Sequence, residues 1–306
     1  MVHPYRAEEL EDILALWEES GGWYRSTMPV STRMVEVALR ALAPPGGWRL
    51  SLGSPRRAGW VHPDSGEPTG FLYASQEPDV SYVVPFLRGA ATGPETVVEM
   101  LSAAEAWFRA RGVPSYLVDT PSEREALYGP MLRRGNVLWH RSIYRRPSGA
   151  PEGEVPPEVR PYSPGNARSV EALARERFPS GAPKPDPVPF LAVPRRSWSP
   201  LPSGPIGTRV WVLFRGERPL GVAGATRFDV GSAAELAPLL LSAEADRDSA
   251  ADLVEAPLHW LSTLNVPQVR ASMPSGLDRE ERALHDAGFE RFADSDVVEV
   301  SLADAR

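Results

Sequence analysis

The chain of 306 residues contains no cysteine. That excludes disulfides, thiolate zinc sites and a cysteine nucleophile, and it fits a reducing compartment. Histidine is scarce as well. His3, His62, His140, His259 and His285 are scattered with no ligand spacing, so no metal centre is expected. No serine stands in a G-x-S-x-G setting, which removes the nucleophile-elbow hydrolases. Every apolar run is interrupted well short of the roughly 20 residues a membrane helix needs. The first residues, "MVHPYRAEELEDILALW", are charged throughout, unlike a signal peptide. A soluble, cytoplasmic protein with no membrane partner is expected. Basic residues are outnumbered, 33 against 40 acidic, for a net charge of −7. Nucleic acid requires a basic face, so it is not an expected partner, whereas a cationic substrate is permitted.

What is present is a chain long enough for one large or two medium domains, each with its own core. Internal similarity favours two. "VHPY" at 2–5 recurs as "VRPY" at 159–162, and "WVHPDSGEPTG" at 60–70 matches "WVLFRGERPLG" at 211–221. Beyond these, an offset of 153 aligns Pro85 and Leu87 with Pro238 and Leu240, Trp107 with Trp260, and Gly135 with Gly288. A constant offset over this length, including a tryptophan pair, points to duplication. The seam is the Pro/Gly/Glu-rich "RRPSGAPEGEVPPEVRP", 145–161. The expected organisation is a first domain over 1–147, a linker over 148–158 and a second domain over 159–306.

Each copy reads in the same order. A short strand leads into an amphipathic helix, which in copy one places Leu10, Ile13, Leu14 and Trp17 on one face. A second helix near 31–42 precedes a hairpin, "GWVHP" turning through "DSGEP" into "TGFLYAS". Then come a strand ("VSYVVPFL" or "ELAPLLL"), a long helix (94–111 or 248–264), a further strand ("SYLVDT" or "QVRASM") and a shorter helix. That helix ends before Gly135 or Gly288, where glycine suits a left-handed C-terminal residue. A final strand follows in each copy. Trp107 and Trp260 are expected in the core.

The stretch "VVPFLRGAATG", 83–93, reads V-x-P-x-x-R-G-x-A-x-G. Together with the element order and the E-P-x-G hairpin, it resembles the GNAT superfamily of acyl-CoA-dependent N-acyltransferases. Their loop is written R/Q-x-x-G-x-G/A, with Val-x-Pro shortly before it. Arg88, Ala91 and Gly93 take the loop positions, and Val83 and Pro85 take the strand positions. The resemblance covers nearly the whole chain as two tandem copies. It implies an α/β fold of two GNAT-like domains, each a mixed, mostly antiparallel sheet flanked by helices.

The physical case for the loop stands beside the resemblance. A pyrophosphate needs several N–H groups at a helix N-terminus. Gly89, Ala90, Ala91, Thr92 and Gly93 are small enough for the main chain to approach closely. Pro94 stands where a helix's first residue would be. Alanine in place of glycine at 91 is a small obstacle unless its φ is positive. At offset 153 copy two has "LSAEADR", 241–247, with Leu241 replacing the arginine, Glu244 replacing Ala91 and Asp246 replacing Gly93. At about 5 Å and an effective dielectric of about 20, each carboxylate–phosphate pair costs about 3 kcal/mol. The helix terminus returns only about 0.3–1 kcal/mol per charge. Copy two is therefore expected not to bind coenzyme A in the usual way and to be structural.

The resemblance further implies acetyl-CoA as acyl donor, with the backbone of Val83 and Val84 pairing with the pantetheine arm. An attacking amine must lose a proton and the leaving thiolate must gain one. The family's acid is often a tyrosine four residues before the glycine matched by Gly135, a position that here holds Met131. Tyr128, one helical turn earlier, is the candidate acid; the alternative is a packed aromatic. Glu77 and Asp79, leading into the fourth strand, and Asp119, on the fifth, are candidates to act as base or to receive substrate. Alternatively they are solvated charges. Trp23, Tyr24 and Arg25, between the first two helices, are candidates to line the acceptor site or to be core and rim. The nine-proline segment 179–205 of copy two cannot be a regular helix.

The expected function is transfer of an acetyl group from acetyl-CoA to a primary amine of a small molecule or peptide, with the active site in the first domain. The rival expectation is a non-catalytic tandem module that binds a ligand or a partner. A third reading makes the active unit a homodimer.

Overall fold

The computed structural model describes residues 1–20, 32–42, 56–64, 66–76, 81–88, 92–121, 125–151, 154–177, 207–227 and 233–302. The chain forms two compact units, Met1–His140 with Asp294–Arg306, and Arg141–Ala293.

Unit 1 contains β1 (His3–Pro4), α1 (Leu10–Ser20), α2 (Thr32–Leu42), β2 (Arg57–Asp64), β3 (Glu67–Gln76), β4 (Ser81–Leu87), α3 (Pro94–Arg109), β5 (Ser115–Pro121) and α4 (Glu125–Leu132). The strand next to β5 is supplied from the far end of the chain. Residues Ser295–Ser301 of β12 (Glu290–Ser301) run antiparallel to Ser115–Pro121. The order in this unit is β1-β2-β3-β4-β5-β12, antiparallel except for the β4–β5 pair.

Period-two alternation places the β4 side chains on two faces. Phe86 meets Trp17 of α1 at 4.9 Å between ring centroids, so Tyr82, Val84 and Phe86 lie on the α1 side. Gly70, in register with Leu87, sits against α3, so Val83, Pro85 and Leu87 lie on the α3 side. A Cβ on Gly70 would come within 2.9 Å of Met100 of α3. Gly221 in unit 2 has the same role, where a Cβ would meet Leu253 at 2.7 Å. The glycine of the repeated hairpin is thus a packing residue in both copies: helix and strand approach too closely for a side chain.

Ile13, Leu16 and Trp17 are fully buried on one face of α1, with Leu10 almost so and Leu14 packed at the margin. Val97, Met100, Leu101, Ala104 and Phe108 bury the inner face of α3. Glu105 is buried among them and accepts hydrogen bonds from the Tyr116 hydroxyl (3.1 Å) and from Arg134. Burial, and then the Glu105 charge, push the Tyr116 phenol far above its ordinary pKa. This network ties the end of α4 to α3 and β5. Gly135 does not take the left-handed conformation expected for it, whereas Gly288 does, at φ +78°. Gly135 is needed for space, because a Cβ there would lie 2.2 Å from the Glu299 carbonyl oxygen on β12.

Unit 2 contains β7 (Val159–Pro161), α5 (Ala167–Arg177), β8 (Gly207–Arg215), β9 (Arg218–Arg227), β10 (Ala234–Leu241), α6 (Arg247–Ser262), β11 (Gln268–Pro274) and α7 (Asp278–Asp286). Its last strand comes from the first copy: Arg141–Pro147 of β6 (Asn136–Pro147) run antiparallel to β11. Each copy of the sequence therefore gives part of its final strand to the unit built from the other copy. The expected boundary near 148–158 separates the sequence copies, while the compact units divide at His140/Arg141 and Ala293/Asp294.

Trp107 and Trp260 occupy matching places, edge-on to Trp60 at 6.2 Å and tilted against Trp211 at 6.0 Å. Trp260 is in the core, while Trp107 is partly buried at its margin beneath the Arg111 guanidinium. Among the described residues no helix is long and apolar enough to cross a membrane.

Candidate functional site

β4 stays paired with β3 as far as Leu87, but its parallel pairing with β5 is confined to Tyr82↔Leu117 and Val83↔Val118. From Val84 onward β5 parts from β4, and among the described residues no strand takes its place on that side. Val83 is buried against α3, Val84 is partly buried on the α1 side, and Asp119, half-buried, is the first β5 residue past the pairing. At the upper end of β4 stands the α3 N-terminus. Gly93 is its N-cap at φ −75°, ψ 162°, with no side chain to cap the helix, and Pro94 is its first residue. The first-turn N–H groups of α3 therefore have no side-chain acceptor from their own cap.

The described ends of the intervening loop are held by one acceptor. The Thr69 carbonyl on β3 accepts from the Arg88 N–H at 2.8 Å and from the Thr92 hydroxyl at 2.7 Å. Thr92 is 4% exposed, so its hydroxyl braces the loop from behind instead of facing a ligand. His62 extends this brace, with Nδ1 3.1 Å from Thr69 Oγ1. The Arg88 guanidinium is held by two carboxylates at 2.9 Å, Glu19 of α1 and Glu67 of β3. The Glu67 hydrogen bond, opposed by slight desolvation and reinforced by Glu19, raises its pKa further.

Gly89, Ala90 and Ala91 of the loop lie outside the described residues, as do Glu77, Asp79, Trp23, Tyr24, Arg25 and the segment 179–205. Tyr128 and Met131 of α4 are both in the unit 1 core, at 2% and 0% exposure. The structure thus puts Val83, Val84 and Asp119 where β4 parts from β5 and Arg88 and Gly93 at the ends of the loop above, with Thr92 turned away as a brace, and places Tyr128 in the packed interior.

Unit 2 has the matching elements in a different state. Gly221 pairs with Leu241 as Gly70 pairs with Leu87, and Ser242 N–H donates to Leu220 O as Arg88 N–H donates to Thr69 O. Leu241 is therefore the counterpart of Leu87, and Ser242 that of Arg88. The sequence alignment, which put Pro238 and Leu240 opposite Pro85 and Leu87, and Leu241 opposite Arg88, is one residue out of step. The cause is a β-bulge in β10 between Leu236 and Leu239, an extra residue with no counterpart in β4. The register is regained at the helix caps, Gly93 and Asp246, so the second loop is one residue shorter.

This shorter loop is closed on itself. Asp246 caps α6 by accepting from Ser249 N–H at 2.9 Å, and that hydrogen bond is the main cause of its lowered pKa. Glu244 N–H donates to the Ser242 hydroxyl (3.2 Å) and Ala245 N–H to the Ser242 carbonyl (3.3 Å). Leu241 N–H donates to the buried Glu280 carboxylate at 2.9 Å, where β4 has no strand partner among the described residues. Glu244 and Asp246 pair with Arg218 (2.6 Å) and Arg215 (3.3 Å). Beside the loop, a cavity of about 390 Å³ is lined by Leu241, Asp246, Arg247, Arg279, Arg282 and Asp286. Arg247 is already clamped to Asp286 by two bonds of 2.7 Å, and Arg279 to the Ser242 and Ala243 carbonyls.

A parallel strand pair parting beside a helix N-terminus, built twice in one chain, matches known architectures. The chain is similar over 99% of its length to a GCN5-related N-acetyltransferase from Sphaerobacter thermophilus, at 14% identity, 95% coverage of that chain and a TM-score of 0.63. It has the GNAT fold in tandem. A tandem GNAT protein from the clavulanic acid biosynthesis pathway is likewise similar, at 14% identity, 100% and 99% coverage and a TM-score of 0.60. The N-myristoyltransferase of Saccharomyces cerevisiae follows at 10% identity, 96% and 78% coverage and a TM-score of 0.51. No family model and no curated protein matches the chain. Within the GNAT fold, the opening between β4 and β5 and the α3 N-terminus of unit 1 form the candidate site.

The pair His140–Asp296 was not legible in the sequence. His140 Nδ1 is hydrogen-bonded to Asp296 Oδ1 in unit 1, although 156 positions separate them. The residue types alone gave no signal, because only the placement of β12 beside the start of β6 brings them together.

Proposed function

We propose that the protein is an acyl-CoA-dependent N-acyltransferase acting through unit 1, most simply transferring acetyl from acetyl-CoA to a primary amine of a small molecule or peptide. The observation that carries this is the parting of β4 from β5 after Val83, directly below a helix N-terminus whose cap is Gly93. The β4 edge beyond Val83, where the pairing with β5 ends, suits the amide-bearing pantetheine arm, by the same hydrogen bonding that adds a strand to a sheet. The α3 N-terminus suits the pyrophosphate. Two of the structural neighbours named above are described as acetyltransferases or GNAT proteins, and this agrees with the reading.

The bound acyl-CoA supplies an activated carbonyl. The chain's own groups hold the arm along β4, seat the phosphates at Gly93 and α3, and keep Arg88 at the loop's start through Glu19 and Glu67. Asp119, the first β5 residue past the β4–β5 pairing, is the candidate to receive the amine or its proton, and Glu77 and Asp79 are further candidates for the same role. Tyr128, the candidate acid from the sequence, is packed in the core on α4, so the acid role is left open there. Unit 2, with its helix N-terminus capped by Asp246 and its strand edge occupied by Glu280, serves a structural role.

Calorimetry with acetyl-CoA tests the reading. One site per chain is expected, with thiol release when a panel of primary amines is added. Two equal sites would mean that the second loop opens, and no binding would remove the enzyme reading. Binding without transfer to any amine would favour a non-catalytic ligand-binding protein, a reading supported by the burial of Tyr128. The Thr92 brace gives a finer check. Thr92→Val removes one buried hydrogen bond, worth about 1 kcal/mol. Acetyl-CoA affinity is expected to fall about fivefold, with the melting temperature little changed.

A further inference from the structure

We infer that His140, oriented by Asp296, is the proton donor to the departing thiolate of the acyl donor; the inference rests on the acyl-transfer reading. The pair has the form of a working dyad. The Asp296 side chain is 12% exposed and the His140 side chain 72% exposed, so a nearly buried carboxylate holds an accessible imidazole. The bond uses Nδ1, which leaves Nε2 for a second partner.

Asp296 connects the pair to the opening, with His140 on β6, the strand beyond β12. Asp296 is in register with Thr120, and Thr120 lies two positions beyond Val118, where the β4–β5 pairing stops. Adjacent strands are about 4.7–4.9 Å apart, so Asp296 stands one strand from the β5 bank of the opening. Asp296 and Thr120 share a sheet face, the one on which Tyr116 stacks against Phe108 of α3. The Thr120 hydroxyl donates to the Asp296 carbonyl at 3.4 Å, which ties the two strands at this level. The tyrosine position expected to supply the acid is Met131, and Tyr128 is packed in the core. His140 thus meets a need that α4 leaves open.

The step balances without another reactant. The amine nitrogen forms a bond to the acyl carbon and the carbon–sulfur bond breaks. The sulfur keeps the electron pair and takes the Nε2 proton of the His140 imidazolium. The nitrogen gives up its extra proton to a carboxylate or to water, and the imidazole is reprotonated from solvent. Asp296 is the charged group hydrogen-bonded to His140 among the described residues, and Arg141 is its neighbour in the chain.

The test uses the full chain and coenzyme A itself, the thiol product, so it needs no known amine. Bound thiolate is read by its ultraviolet absorbance across a pH series, and acetyl-CoA affinity is measured in parallel by calorimetry. In the unaltered protein a substantial thiolate fraction is expected on bound coenzyme A near pH 7. His140→Gln is expected to cut that fraction at least tenfold while acetyl-CoA affinity stays within about twofold. Asp296→Asn is expected to reduce it in the same direction, by less. A thiolate fraction unchanged in His140→Gln, with acetyl-CoA still bound, overturns the role of His140 and leaves the acyl-transfer reading standing. Absence of acetyl-CoA binding in the unaltered protein overturns both. If Asp296→Asn melts early, His140→Gln alone decides, since its side chain is mostly exposed.

Discussion

Truncation of the chain after Ala293 is expected to unfold unit 1, although the residues removed belong to the second copy of the sequence. The lost segment places Val297, Val298, Val300 and Leu302 in buried positions in unit 1. Burying an aliphatic side chain contributes about 1.5–3 kcal/mol, so these four supply roughly 6–12 kcal/mol. That equals the whole stability of a typical domain, about 5–15 kcal/mol. The truncation also strips β5 of its antiparallel partner along Ser115–Pro121, exposing the strand that bounds the candidate site. Unit 2 keeps all of Arg141–Ala293 and is expected to remain folded. Limited proteolysis and calorimetric melting of the truncated chain would then show one transition in place of two, with cleavage confined to residues before 141. A truncated chain that melts like the full one would show that β12 is dispensable, and the strand exchange would lose its structural importance.

The sequence made the repeated part of the fold visible because repetition and period are local properties. The hairpin glycines, the matched tryptophans, Pro94 at the head of α3 and the alternation of β4 and β10 are each set within a few residues. Where the last strands go is not local. "NVLWHRSIYRR" and "RFADSDVVEVS" have ordinary strand patterns that fit either sheet, and only the packing of whole units decides. The same holds for Gly135, whose reason for being glycine is a carbonyl oxygen on β12, far along the chain. The one-residue slip around Pro238 has a third cause. A β-bulge adds a residue without altering composition, so the offset between copies changes twice within ten residues. At the site, the small residues of the first loop and the carboxylates of the second were visible as chemistry. Their consequences came only with geometry: Thr92 turns away to brace the loop, and Asp246 turns inward to cap its own helix.

Gly93→Asp is expected to abolish acetyl-CoA binding without unfolding the protein. The second copy shows what such a carboxylate does at this place: Asp246 caps α6 and takes the N–H of the residue three positions on, Ser249. An aspartate at 93 would take the corresponding N–H of Thr96 and remove it from any phosphate. Its charge adds a repulsion of about 3 kcal/mol at about 5 Å and an effective dielectric of about 20, a loss of more than a hundredfold in affinity. Capping itself contributes about 1 kcal/mol toward helix stability. The backbone accepts the change, because Gly93 has φ −75° and, among the described residues, a Cβ would meet only the flexible end of Glu95, at 3.1 Å. The melting temperature is therefore expected to hold or rise while binding disappears. This pairing of stability gained with affinity lost separates a filled cradle from a damaged fold. If the variant binds acetyl-CoA as the unaltered chain does, the phosphates do not sit at the α3 N-terminus, and the donor site must be sought elsewhere.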